Sequence, residues 1–146
     1  MWNRTTITEK IKASSDRFGS INPQQLKQLK FACKNSKGSE LFFGLFPFFF
    51  DPDLQENSDH RQQLAGTILF ELNPSCPLEL EGVLFAIPKY WNVSIEEIIW
   101  YMCNQFGHEV VKSFLESLIL DVSDSKLLDS FKTMLFWVRR YKPNGN

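Results

Sequence analysis

The ten residues DPDLQENSDH, from Asp51 to His60, hold the densest set of groups in the chain that could do chemistry. Asp51, Asp53, Glu56 and Asp59 could surround a hard cation with carboxylate oxygens. A calcium loop, however, needs more oxygen ligands at fixed positions and a glycine at its sharp turn, and this stretch has no glycine. Neither a metal nor a cofactor is therefore expected, and the four carboxylates are assigned to the solvent or to the surface of a partner.

Nucleophilic chemistry would need a thiol or hydroxyl beside a base. Cys103 and His108 are the one thiol and imidazole close in sequence. Cys103 falls near the apolar side of a helical pattern, where a thiol is usually inert. His108 follows Gly107 and suits the start of a helix. His60 and His108 are the only histidines, and neither belongs to an HxxxH or HxxE metal pair. A Gly-rich phosphate loop, GxSxG and HExxH are all absent. An enzyme is not expected. The catalytic alternative is a small enzyme using Cys103 and His108, or the acidic loop.

Arg139, Arg140 and Lys142 stand beside Trp137 and Tyr141, a mixture of cations and rings that can grip nucleic acid. Cations at the end of a helix also offset its dipole. The charge is partitioned along the chain. Residues 1–40 carry eight Lys/Arg against three Asp/Glu, residues 41–125 three against thirteen, and residues 126–146 five against one. An acidic middle repels phosphates, so nucleic acid is not expected as a partner. The same middle favours a basic protein and would speed association with it.

The elements that must position these groups follow from period and punctuation. Thr6 and Glu9 form a capping-box pattern ahead of Ile7, Ile11 and Phe18, which predicts a helix over 7–18. Residues 24–34 admit two readings. Leu26, Leu29 and Cys33 suit a short helix with Pro23 in its first turn; Leu29, Phe31 and Cys33, alternating with Lys30, Ala32 and Lys34, suit a strand. The hairpin-like loop Asn35–Ser39 and the Phe-rich run after it favour strands at 28–34 and 40–49, the second bent or at an edge because Pro47 cannot donate to a ladder. Leu64–Leu72 reads as a third strand.

From Ser75 the period becomes helical and runs to Ile87, ahead of Pro88. Ser94 and Glu97 form a second capping box, with Val93 and Ile98 as its staple, for a helix over 94–106 that Gly107 stops. Further helices are predicted over 108–119, with Val110, Val111, Phe114, Leu115 and Leu118 facing in, and over 126–141. Residues 143–146 form a frayed tail. The fold class expected is α+β: an N-terminal helix, a three-stranded antiparallel meander, then four helices packed on the sheet.

A chain of 146 residues that is 43% hydrophobic and 23% charged suits a single globular domain, neither disordered nor membrane-embedded. The longest apolar run, Leu41 to Phe50, is half the roughly 20 residues a membrane helix needs. Three cysteines without CxxC spacing, and no secretory leader, point to a reducing, cytoplasmic compartment. With fourteen Phe and four Trp, some aromatic area is expected outside the core as an interface.

The function expected is binding of another, basic protein by a chain that is monomeric or dimeric when free. The class favoured is a bacterial immunity or antitoxin-like inhibitor that neutralises a basic toxin. Asp51, Asp53, Glu56 and Asp59 are the expected acidic contacts, and the exposed members of Phe48, Phe49, Phe50 and Trp91 the anchors. A structural or assembly subunit, homo-oligomeric through the edge strand around Pro47, is the other alternative.

Overall fold

Asn3 starts the first helix: its side-chain oxygen accepts the Thr6 N–H at 2.9 Å, the role the sequence pattern gave to Thr6 and Glu9. That helix, α1 (Arg4–Phe18), buries Ile7 and Ile11 and stops at Gly19, whose φ of 75° is a left-handed value glycine adopts freely. Asn22 caps α2 (Pro23–Cys33) in the same way, through the Gln25 N–H at 3.1 Å. The chain continues through α3 (Gly38–Leu45), 3-10 turns at Phe46–Phe49 and Pro52–Leu54, α4 (Ser58–Leu72), α5 (Leu80–Ala86), α6 (Glu97–Phe106), α7 (His108–Asp121) and α8 (Ser125–Val138). This computed structural model describes residues 1–143; the tail expected at 143–146 lies, from residue 144 on, outside the described residues.

No strand occurs among the described residues, so the α+β expectation and its meander are overturned. Each of the three expected strands is helical for an identifiable reason. Over 28–34 the alternation is accidental: Leu29 and Cys33, one helical turn apart, are buried, while Phe31 is exposed. Over 40–49 the apolar run is continuous because α3 and the turn after it are enclosed on most sides. Over 64–72 the same holds for α4, which buries Leu64, Ala65, Gly66, Ile68 and Leu69 over more than half of its circumference and so has little period to read. Pro47 sits in a 3-10 turn, and the proposed edge strand for self-assembly does not exist.

Helix ends also differ. Ser94 does not cap α6: its N–H and its hydroxyl both donate to the Asn92 side chain, at 3.1 and 2.8 Å, and the helix begins only at Glu97. The helical period from Ser75 becomes α5 only at Leu80, and α8 ends at Val138 rather than 141.

The core runs from Ile7 to Val138 as one cluster of buried side chains. Phe42 stacks on Phe46 at 4.9 Å and approaches Tyr101 at 6.2 Å, which joins α3 to α6. The Tyr101 hydroxyl donates to the Pro74 carbonyl at 2.7 Å, so this large side chain is buried without an orphaned polar tip. Helices α1 and α3 approach each other closely at Gly44. A Cβ on Gly44 would lie 2.7 Å from two Ile7 side-chain atoms, so only glycine lets these backbones meet. Thr8 locks the crossing by donating its hydroxyl to the Gly44 carbonyl at 2.8 Å.

A second lock is ionic. Arg61 of α4, with only 5% of its side chain exposed, donates to both oxygens of Asp16 at 3.0 and 2.7 Å. This guanidinium, with the Asn57 amide beside it, holds the Asp16 carboxyl well below the ordinary range, at about 2. Among the described residues no helix is long and apolar enough to cross a membrane.

Candidate functional site

The expected anchors divide sharply. Phe48 and Phe49 are fully buried and Trp91 is 5% exposed, its indole N–H donating to the Ile95 carbonyl at 3.0 Å. Burying a side chain of this size stabilises the fold by about 1.5–3 kcal/mol, and that burial cannot also be offered to a partner. Only Phe50, 39% exposed and tilted against Phe46, meets the condition of exposure.

The acidic loop is partly spent on structure. Asp51 accepts the Asp53 N–H at 2.9 Å and caps the 3-10 turn. Asp59, in the first turn of α4, accepts from the Asn92 amide at 2.7 Å and ties the loop before α6 to that helix. Asp53 and Glu56 remain exposed. Among the described residues no three His, Cys, Asp or Glu side chains converge in a way that could hold a metal ion.

Cys103 and His108 are not brought together as nucleophile and base. The Cys103 thiol is buried in the core, and burial pushes it up to about 12, far from a thiolate at neutral pH. The His108 ring stacks on Tyr141 and donates from Nε2 to the Val138 carbonyl at 3.0 Å. The other histidine has the closer hydroxyl. Ser20 Oγ and His60 Nδ1 are 3.0 Å apart, across a link between α1 and α2 whose sequence gives no sign of it. A nucleophile of that type needs a third group to orient the base. No hydrogen bond to His60 Nε2 occurs among the described residues, and the pair serves to fasten the link to α4.

The surface that stands out is one that sequence reasoning assigned to the core. Of the fourteen residues of α7, only Val111 and Leu115 are buried. Val110, Phe114 and Leu118 recur every four residues and so share one side of the helix. They line a shallow groove of about 650 Å³ with Ser113 and Ser117, and Val110 is 55% exposed. Glu109 and Asp121 close the groove at its two ends, about 18 Å apart at the helical rise per residue. Glu109 has His108 Nδ1 at 3.3 Å. The helix therefore carries an apolar stripe wider than its core can cover, with a carboxylate at each end. That excess of width was the available signal: five apolar residues in one pattern, against the narrower face that two neighbouring helices can bury.

No protein-family model matches this chain, and neither does any curated protein or solved structure.

Proposed function

We propose that the chain is a protein-binding domain whose α7 face takes up a basic, apolar segment of another protein. The observation that carries this reading is the row Val110, Phe114 and Leu118 between Glu109 and Asp121, with Val110 exposed and Phe114 and Leu118 only partly covered by the core. Apolar area at the centre of a patch supplies affinity, and charges at its rim select the sign of the partner and speed its arrival. The acidic middle of the chain, to which α7 belongs, supports the same sign. Exposed Asp53, Glu56 and Phe50 extend the acidic and aromatic surface available to a partner. Within this class the reading retained is an inhibitor of immunity or antitoxin type that neutralises a basic toxin by covering it.

The test uses a helical peptide with leucines on one face and lysines flanking them. Amide shifts on titration are expected to map to residues 109–121. Reversing both end charges, Glu109→Lys with Asp121→Lys, is expected to weaken binding about tenfold at low salt. Shifts that map elsewhere, or indifference to charge reversal, would sink the reading. For the inhibitor, a photo-crosslinker at position 110 captures the partner in its host. A basic partner whose activity survives stoichiometric addition of the chain would leave binding intact and remove inhibition.

A further inference from the structure

The corner where the C-terminal end of α8 meets the start of α7 carries a different chemistry. Trp100, Trp137, Tyr141, Arg139, Arg140 and Lys142 line an open pocket of about 480 Å³. Three are aromatic, three are cationic, and no carboxylate is among them. The nearest ion pair, Arg139 with Glu116, is 4.0 Å long and exposed on both sides.

Dipole complementarity alone would account for cations at the end of α8, but it would not account for what surrounds them. The helix stops at Val138, so Arg139 caps it and Arg140 and Lys142 follow on the chain beyond. Trp100 reaches the pocket from α6, thirty-seven residues before Trp137 in the chain. The rings are contiguous: Phe70 to Trp100 is 6.0 Å, Trp100 to Trp137 is 6.4 Å and Trp137 to Phe136 is 5.0 Å between centroids.

Their positions are fixed by hydrogen bonds to the backbone. Trp100 Nε1 donates to the Trp137 carbonyl at 2.9 Å and Trp137 Nε1 to the Val93 carbonyl at 2.7 Å. Arg140 lies over the Phe136 ring at 3.5 Å and donates to the Phe136 carbonyl at 3.1 Å. A row of rings held before any ligand arrives loses little entropy on stacking, and the exposed cations beside it, of which Arg139 has only the 4.0 Å contact with Glu116, are set for anions.

The geometry points to this corner as a binding site for a phosphate adjoining a flat base, and specifically for single-stranded nucleic acid. Bases stack on the rings singly, since Trp100 and Trp137 stand edge to face at 89°, while Arg139, Arg140 and Lys142 meet the phosphates. The site uses neither the α7 groove nor its carboxylates, so it stands or falls apart from the protein-binding reading.

The test titrates the full chain with a fluorescein-labelled oligothymidylate of about ten nucleotides, a length within the reach of such platforms. Anisotropy and quenching of tryptophan emission are read together. Both signals are expected, with log K falling against log salt at a slope of about −2 if each of the three cations meets a phosphate of a single strand. Arg139→Glu with Lys142→Glu, both exposed, is expected to weaken binding at least tenfold without moving the thermal midpoint. Trp137→Ala should cost a similar factor; Phe136→Ala, outside the core, provides the stacking test should that variant not fold. Thymidine monophosphate binding as tightly as the strand would keep the site and assign it to a free nucleotide. Poly-glutamate binding equally well without quenching would reduce the site to bare charge and overturn the proposal. No signal up to about 1 mM oligonucleotide at low salt, well above ordinary non-specific affinities, would overturn it too.

Discussion

Helices α4 and α7 are nearly equal in length and opposite in use. Seven of the fifteen residues of α4 are buried, among them a charged Arg61 and an amide, Gln62. Two of the fourteen residues of α7 are. On α4 even polar groups are drawn inside and satisfied. Arg61 bonds Asp16, and Gln62 donates to the Tyr90 carbonyl at 2.7 Å and accepts the Asn92 N–H at 2.8 Å. On α7 the apolar Val110 and Leu120 are left outside, and Phe114 and Leu118 are only partly covered. The position of a helix in the packing order, more than its composition, decides whether its side chains are spent on stability or free for recognition.

If that contrast is right, substitutions around α4 must damage stability and substitutions on α7 must not. The largest loss is expected from Gly44→Ala, where the new methyl meets Ile7 at the α1–α3 crossing that packs beside α4: about 3 kcal/mol by overpacking, read by urea unfolding. Asp16→Ala leaves the buried Arg61 guanidinium without its carboxylate. Such a loss runs to about 3–5 kcal/mol for a fully buried pair, and to about 2 kcal/mol here because Asp16 is 41% exposed.

Glu97 sharpens the contrast from the other side. It packs against α4, where Oε2 accepts from Gln63 at 2.9 Å while the buried Oε1 has no hydrogen-bond partner. Burial, with Glu96 and Glu71 nearby, raises its pKa. A raised carboxyl binds its proton more tightly in the folded state, so the stability it lends at low pH is lost as pH rises through the folded value. Glu97→Gln is expected to raise the melting temperature by about 3 °C at neutral pH, with no gain in acid. An equal gain at both pH values would contradict the assignment.

Asp16 works in the reverse sense. Its carboxyl is held at about 2 from an ordinary 3.8, so its contribution is present above pH 4 and drains away between pH 4 and 2. After allowance for solvent screening this is about 1 kcal/mol, and Asp16→Asn should flatten that part of the acid unfolding curve. The smallest effect is expected at α7, where Val110→Ser should cost about 0.5 kcal/mol or less. A loss comparable to that of Gly44→Ala would mean the α7 stripe is core after all.

The same contrast explains what the sequence revealed and what it hid. Helices α6, α7 and α8 border solvent on one side and keep a period, so their helical ranges were readable, with Val111 and Leu115 as inward residues of α7. α4 and the Phe42–Phe49 stretch are largely enclosed, their polarity carries little period, and they passed for strands. The caps failed on local competition: Asn3 and Asn92 stood close enough to take the hydrogen bonds expected of Thr6 and Ser94. The candidate face on α7 was legible as a stripe but not as a surface, because sequence gives the width of a stripe and not the width of what covers it. The basic corner was half legible. Trp137 and the cations are neighbours in sequence, while Trp100 arrives only through the fold.

The two buried thiols also equip the molecule with its own reporters. Cys33 sits at the end of α2 and Cys103 in α6, both inside the core and both raised by burial, to about 11 and about 12. Neither can be alkylated until the helices over it part. Labelling rates for the two sulfurs, followed in one native sample by mass spectrometry, would time the opening of each half of the protein separately. They would show whether the chain comes apart as one cooperative unit or from its α6–α8 end first.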